Sequence, residues 1–233
     1  MNEQRISKIY DYRDIGGSTV FQVVRFEPKG FAQRRPHKDG FIWELGEVEP
    51  ILYRLPEVTQ AIGEGKTVFI CEGEKDADNL ATLGFIATTC PMGAGKWRNA
   101  YTVALKGCRE AIVLADKDEL GWAHAETVAN ELYSAGIPVK LIEMPDIEGA
   151  EIKDVSDWLA IGGTREAFLD ILKEYPEWTL SQDPYPVINQ ELQHLINQYG
   201  EPYYLSKDGG VTALNQTFWA SLHQTEHIQL FEP

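Results

Sequence analysis

Three acidic residues that follow two short apolar runs have the types and spacing best suited to chemistry. Glu72 follows the run at 67–71, and Asp116 and Asp118 follow the run at 111–115. Residues two apart on an extended backbone project to the same side, so Asp116 and Asp118 can act together. Carboxylates gathered in one place repel one another unless a cation joins them, and oxygen ligands suit Mg²⁺. We therefore predict a divalent-metal site; the alternative is a set of solvated acids at strand ends.

The apolar runs predict the strands that position these acids. Each run is short, unbroken and rich in branched residues, as in a strand buried on both faces of a parallel sheet. If the two strands are parallel neighbours, their acidic ends meet at the carboxyl edge of the sheet, where open α/β sheets place ligands. Further strands at 85–89 and 138–143 alternate with helical segments. The fold class predicted is therefore α/β, a compact parallel sheet of about four strands with flanking helices.

The chain divides by composition into three predicted parts. Residues 1–62 form a small β-rich subdomain, with a hairpin signal at Gly16-Gly17. Residues 63–166 contain the α/β domain. Residues 167–233 form a small α+β segment, in which we expect a helix and then a hairpin around 207–210.

Length and charge restrict the classes of protein that fit. The chain has 233 residues, 43% of them hydrophobic, which is enough for a real core. Its net charge of −15 argues against binding nucleic acid by bulk electrostatics, because phosphate binding depends on Lys and Arg. Nine Lys and Arg nevertheless lie within residues 1–56, against two within residues 166–233. Any contact with nucleic acid is therefore expected at the front of the chain.

Two absences in the sequence indicate the compartment. No apolar run approaches the roughly 20 residues that span a bilayer, and the polar start lacks a signal-peptide hydrophobic region. The three cysteines, Cys71, Cys90 and Cys108, are widely spaced and fit reduced thiols rather than a zinc site. We expect a cytoplasmic protein that does not bind membranes.

A basic segment at 31–38 lies between the predicted strands of the β-rich subdomain. Arg34, Arg35 and Lys38, together with Arg25, could bind template backbone or nucleotide phosphates, and Arg favours such contacts through its bidentate fork. The alternative is a solvated loop whose charges only hydrate the surface. The sequence by itself leaves these two interpretations even.

A glycine-rich turn between a strand and a helix could bind phosphate. It is not a Walker A motif, because Cys90 and Trp97 occupy the positions that need Gly and Ser/Thr. Gly93 and Gly95 can still expose backbone N–H groups, and Lys96 adds a positive charge. The alternative is a tight strand-to-helix connection.

Three motifs together resemble a known family. They are Cys-Glu-Gly-Glu-Lys-Asp-Ala-Asp at residues 71–78, Asp-Lys-Asp-Glu-Leu-Gly at 116–121 and Lys-Asp-Val-Ser-Asp-Trp-Leu at 153–159. They resemble the Toprim domain of primases, and most closely the primase portion of phage, prophage and plasmid primase-helicases. The resemblance covers most of the first 165 residues. Residues 33–35 and 52–56 also resemble segments that precede the Toprim core, which favours function for the basic segment and adds Arg54 as a nucleotide contact.

The resemblance implies roles for individual residues. Glu72, Asp116 and Asp118 would be catalytic, and the implied Mg²⁺ ligands, with Mn²⁺ able to substitute, are Glu72, Asp116, Asp118, Asp154 and Asp157. Lys75 and Asp76 join Gly93, Gly95 and Lys96 as the candidates for nucleotide or phosphate binding. Asp154 could instead simply cap a helix. The chain departs from the bacterial housekeeping pattern at Ser156, where a second acid is expected.

The function implied is that of a DNA primase in phage or mobile-element replication. Such an enzyme would make short RNA primers from nucleoside triphosphates on single-stranded DNA, with two metal ions and beside a replicative helicase. One alternative is a Toprim nuclease, which the basic N-terminal region disfavours. Another is a catalytically silent module that binds nucleic acid or a helicase, which the acidic tail and the missing zinc segment favour.

Overall fold

The computed structural model describes residues 4–147 and 150–180, and the strand backbone at 204–205 and 211–212. The chain divides into two compact units, Met1–Leu180 and Ser181–Pro233. The first unit contains a parallel sheet, a separate antiparallel sheet and helices, which confirms the predicted α/β class. The three-part division at residues 62 and 166 stays a prediction.

The antiparallel sheet is formed by the front of the chain. Its strands are β1 (Arg5–Arg13), β2 (Thr19–Glu27), β3 (Gly30–His37) and β4 (Gly40–Ile42), each paired with the next. The β1–β2 turn lies at the predicted glycine pair, where the Asp14 carboxylate accepts hydrogen bonds from the backbone N–H groups of Gly16 and Ser18, both at 2.9 Å. Gly17 has a φ of 86°, which favours glycine there.

The placement of the basic segment between strands was wrong. Residues 31–37 belong to β3, which pairs with β2. The strand was missed because most of its side chains are polar and partly exposed, so it lacks the alternation of apolar residues that marks a half-buried strand. Cross-strand contacts stabilise it instead: Arg34 Nε donates a hydrogen bond to Gln22 at 2.7 Å, and its guanidinium lies 3.9 Å from the Phe41 ring centroid.

The parallel sheet has the predicted four strands. They are β5 (Thr67–Ile70), β6 (Ala87–Thr88), β7 (Glu110–Ala115) and β8 (Val139–Glu143), in the order β6-β5-β7-β8. All neighbours are parallel, so β5 and β7 do end at the same edge. The helices of this unit are α1 (Leu55–Gly63), α2 (Glu74–Thr82), α3 (Asn99–Ala104), α4 (Glu119–Ser134), α5 (Val155–Ala160) and α6 (Arg165–Glu174).

Two hydrophobic clusters cover the two faces of the parallel sheet. Ile112 and Leu114 of β7 belong to one cluster, whereas Val113 between them belongs to the other. The first cluster continues into the antiparallel sheet through Tyr12 and Phe21, whose rings stack with centroids 4.4 Å apart. A shared core therefore fixes the antiparallel sheet against the α/β region.

The second unit contains a short hairpin, as predicted around residues 207–210. Strands β9 (Tyr204–Leu205) and β10 (Val211–Thr212) pair antiparallel. The helix expected before the hairpin lies outside the described residues. Across the part of the chain that the structure describes, none of the helices combines the length and the apolar character needed to cross a membrane.

Candidate active site

A cleft of about 330 Å³ opens where the carboxyl edge of the parallel sheet faces the antiparallel sheet. We call it the carboxylate cleft. Its acidic lining is Glu72, Glu74, Asp76, Asp116 and Asp154, and its cationic lining is Arg25, Lys29 and Lys75. The structure thus brings together acids from three chain segments, as well as cations from β2, the β2–β3 turn and α2.

The register of β5 and β7 positions the two central acids. Ile70 pairs with Val113, and the chain turns from each strand towards the cleft within three residues, at Glu72 and Asp116. Helix α4 then passes close to both acids at Gly121. A Cβ atom on Gly121 would lie 2.8 Å from Asp116 Cβ and 2.9 Å from Glu72 Oε2, so only glycine fits without displacement.

The carboxylates of the cleft are partly buried and close to one another, which destabilises their charged forms. Burial, followed by the nearby charges of Glu72, Asp76 and Asp154, raises the pKa of Asp116 to about 8. Burial and the charge of Asp118 also raise the pKa of Glu72. Glu72 Oε2 is buried with no hydrogen-bond partner among the described residues, which carries a desolvation penalty. These are the conditions that a bound cation would relieve.

The donor set fits Mg²⁺. Within residues 4–147 and 150–180, no group of three or more His, Cys, Asp or Glu side chains is arranged to hold a metal ion. Mg²⁺ in phosphoryl-transfer sites, however, commonly uses one or two carboxylates and completes its shell with water and substrate phosphates. Glu72 and Asp116 supply such a pair, and one oxygen of Glu72 lacks any other partner.

The other three predicted metal ligands make local hydrogen bonds at helix starts. Asp118 accepts a hydrogen bond from Gly121 N at 2.8 Å and caps α4. Asp154 accepts one from Asp157 N at 2.7 Å and caps α5, although it also lines the cleft. Asp157 accepts one from Lys153 N at 3.2 Å. Capping therefore accounts for Asp118 and Asp154 locally, while the metal roles of all three stay predictions.

A buried hydrogen-bond chain holds Asp76 beside the cleft. The Ser156 hydroxyl donates to Asp76 Oδ1 and accepts a hydrogen bond from Asn79 Nδ2 at 2.7 Å. Burial raises the pKa of Asp76, and the Ser156 hydrogen bond opposes that rise. Ser156, at the position where an acid was expected, thus ties α2 to α5.

The glycine-rich turn only partly reaches the cleft. Gly93 lines it, with a φ of 72°. The Gly95 N–H is occupied, because it donates a hydrogen bond to His124 Nδ1 at 3.2 Å. Lys96 is exposed and does not line the cleft. Phosphate binding by this turn stays a prediction, and Gly93 is the residue best placed for it.

Of the predicted nucleic-acid contacts, Arg25 alone lines the cleft. Arg34 is half-buried against Phe41, Arg35 lies 3.6 Å from Glu44, and Lys38 is exposed. Arg54 begins α1 and is 3.5 Å from Asp78. These four residues therefore flank the site rather than form it.

Sequence reasoning missed Lys29 and Tyr12. Lys29 lies in the β2–β3 turn and lines the cleft, and its charge opposes the rise in the pKa of Glu72. The Tyr12 hydroxyl donates a hydrogen bond at 2.8 Å to the carboxylate of Glu74, which is only 7% exposed. Glu74 begins α2, where an acid is common at any helix start, so its position in the sequence does not signal a buried partner.

Comparison with known proteins gives structural neighbours only. No family model matches the chain, and no curated protein matches it. The Aquifex aeolicus primase, comprising zinc-binding and RNA polymerase domains, is similar with a TM-score of 0.56 and 17% identity, over 82% of this chain and 44% of that one. A DNA primase domain from Pseudomonas aeruginosa has a TM-score of 0.56 and 18% identity, over 82% of this chain and 55% of that one. A DnaG primase catalytic domain bound to single-stranded DNA has a TM-score of 0.52 and 20% identity, over 72% of this chain and 53% of that one.

These neighbours define the fold. The chain has the fold of DNA primase catalytic cores, with the Toprim arrangement that its motifs resemble. It spans about half the length of the structures that it matches.

Proposed function

We propose that the chain is the catalytic core of a DNA primase that makes short RNA primers from nucleoside triphosphates in phage or mobile-element replication. The observation that carries this proposal is the meeting of Glu72 and Asp116 opposite Arg25 and Lys29, in one cleft of a primase fold. The proposed partners are single-stranded DNA, nucleoside triphosphates and a replicative helicase.

The reaction joins a 3′-oxygen to the α-phosphorus of a nucleotide and breaks the bond to the β-phosphate, which releases pyrophosphate. Mg²⁺ or Mn²⁺, when bound, would act as a Lewis acid that stabilises the negative charge of this displacement. Glu72 and Asp116 would hold the cation. Glu72 is also the candidate acceptor for the proton of the 3′-hydroxyl.

The cations of the cleft match the phosphates of the substrate. Arg25 and Lys29 come from the antiparallel sheet, and Lys75 comes from the first turn of α2. Among the described residues, none of the three has a carboxylate oxygen within 4.0 Å, so their charges are available to a triphosphate. The acids at the edge of the parallel sheet, together with Lys75 of α2, would thus enclose metal and nucleotide against Arg25 and Lys29 of the antiparallel sheet.

The exposed face around β3 suits a single-stranded template. Arg34 lies over Phe41 and 5.1 Å from the Trp43 ring centroid, and both rings are exposed. Aromatic rings stack on bases of any sequence, while Arg34 and the exposed Lys38 would contact the backbone. Arg35 pairs with Ile42 and so projects to the opposite face of the strand, and its contact with nucleic acid stays a prediction. One structural neighbour is itself bound to single-stranded DNA.

A primer-synthesis assay tests the proposal. The purified chain, single-stranded DNA, labelled nucleotides and Mg²⁺ or Mn²⁺ should yield short products. Asp116→Asn and Glu72→Gln should each reduce synthesis by roughly a hundredfold or more, because each removes a charged contact to the reacting groups. Shortening of the input DNA by the wild type, but not by Asp116→Asn, would instead favour a nuclease.

Asp118→Asn serves as the matched variant. Asn caps helices about as well as Asp, so this change preserves the cap of α4 and removes only the charge. Loss of synthesis would assign Asp118 to the metal, whereas full synthesis would limit it to capping.

A further inference from the structure

The glycine-rich turn, residues 91–97, lies between the carboxylate cleft and an apolar pocket of about 330 Å³. Met92, Gly93 and Ala94 line the cleft, whereas Ala94 and Gly95 line the pocket. The opposite wall of the pocket is helix α4. The position of the turn therefore decides the shape of one wall of the cleft.

The backbone of this turn has a conformation that a free peptide seldom adopts. The φ angle is 69° at Met92, 72° at Gly93 and 73° at Gly95. A side chain such as that of Met disfavours this left-handed region. Contacts with the rest of the fold must therefore select the conformation of the turn.

One set of contacts ties the turn to Glu72. The hydroxyl of Thr89, just before the turn, donates a hydrogen bond to the carbonyl oxygen of Glu72 at 2.9 Å. A Cβ atom on Gly93 would lie 3.8 Å from the same oxygen, so the turn passes close to the backbone that carries the Glu72 carboxylate. A displaced turn would therefore change the surroundings of a proposed metal ligand.

His124 of α4 holds the other side of the turn. Its Nδ1 accepts a hydrogen bond from the Gly95 N–H at 3.2 Å, and the side chain is only 8% exposed. His124 is three residues after Gly121, so the face of α4 that approaches the two central acids also holds the turn.

The hydrogen bond defines the form of the imidazole ring. A backbone N–H can only donate, so Nδ1 of His124 is without a proton and the neutral ring carries its proton on Nε2. Burial lowers the pKa of His124, which favours this neutral ring. A side chain that offered no acceptor here would leave the Gly95 N–H unpaired.

We propose that His124 is a positioning residue of the carboxylate cleft, which holds the glycine-rich turn against Glu72 by accepting the Gly95 hydrogen bond. His124 does not itself line the cleft and acts through the turn. The inference rests on the proposed function for its effect on primer synthesis, whereas the positioning of the turn is measured without it.

Two substitutions that differ in the acceptor test this role. His124→Asn keeps an acceptor, because its amide oxygen can take the place of Nδ1, and His124→Leu removes the acceptor. Nuclear magnetic resonance of the full chain without metal reports the exchange of the Gly95 amide with water and the amide shifts of Gly93 and Glu72. His124→Leu should speed the Gly95 exchange roughly tenfold and move the other two signals, since one hydrogen bond is lost. His124→Asn should keep all three near their wild-type values.

Thr127→Ala is the matched control. Thr127 lines the same pocket from α4, and its hydroxyl donates within the helix to the Ala123 carbonyl oxygen. This variant should change neither the exchange nor the shifts. The Phe168 amide, which donates to the Thr164 carbonyl oxygen in α6, reports whether each variant is folded.

Primer synthesis measures the consequence for the cleft. His124→Leu should lower kcat/KM for nucleotides roughly tenfold, and His124→Asn should restore most of it. Unchanged Gly95 exchange or normal synthesis in His124→Leu, or an equal loss in both variants, overturns the proposal. If the wild type makes no primers yet the amides respond as described, the proposed function is wrong and the positioning by His124 stands.

Discussion

Asp116→Asn should stabilise the metal-free protein, and more so at higher pH. Burial and the neighbouring carboxylates raise the pKa of Asp116 from 3.8 to about 8 in the folded state. Between these values the folded state binds more protons than the unfolded state, so stability falls as pH rises from about 4 to about 8. Asparagine keeps the shape of the side chain and removes the ionisation, so the variant should lose this part of the pH dependence.

The magnitude follows from the shift in pKa. At pH 7 a carboxyl with a pKa of about 8 instead of 3.8 would cost about 4 kcal/mol, at about 1.4 kcal/mol per unit. Asp116 is only partly buried and solvent screens such interactions, so the expected gain in the free energy of unfolding is smaller, about 1–2 kcal/mol. Below pH 4 the gain should vanish, because the carboxyl is then protonated in both states.

Urea unfolding in EDTA, followed by circular dichroism at pH 4, 6 and 8, measures the effect. Asp170→Asn is the matched control, because Asp170 is exposed and paired with Lys173 on α6. Adding Mg²⁺ should stabilise the wild type more than Asp116→Asn, since the variant lacks one charged ligand. The reasoning is refuted if Asp116→Asn is less stable than the wild type at pH 8, or if the difference between them does not grow with pH.

Two further substitutions test the contacts that position the acids of the cleft, namely the Tyr12–Glu74 hydrogen bond and the close approach of Gly121. Tyr12→Phe should lower the free energy of unfolding by about 1–3 kcal/mol, because it leaves the buried Glu74 carboxylate without its donor; a loss below about 0.5 kcal/mol in urea unfolding would contradict this. Gly121→Ala should cost about 1–3 kcal/mol and abolish primer synthesis, because the added methyl group would meet the backbone oxygen of Asp116 at 2.9 Å. Gly63→Ala, where nothing lies within 4 Å of the added Cβ and φ is not positive, is the control for a glycine substitution without a clash.

The sequence predicted the parallel sheet and its acidic edge because both depend on local signals. Unbroken apolar runs at β5 and β7 are required by burial on both faces, and the acids that follow them must then meet. The pairing of Glu72 with Asp116 in one cleft therefore follows from the pattern itself.

Features set by contacts between distant segments could not be predicted in the same way. Strand β3 is stabilised by cross-strand contacts rather than by alternating burial. Lys29 is a turn residue whose importance comes only from facing Glu72 across the cleft. The hydrogen bond from Ser156 to Asp76 joins residues 80 positions apart, and no spacing rule relates them.

The shared hydrophobic cluster has a consequence for the width of the carboxylate cleft. Tyr12 and Phe21 pack in the same core as Phe69 and Leu80, so side-chain volumes determine the separation between the sheet that carries the cations and the sheet edge that carries the acids. The width of the carboxylate cleft is thus set by the packing of apolar side chains away from it. Under the proposed function, apolar substitutions in this cluster would change the rate or the nucleotide preference without touching the substrate.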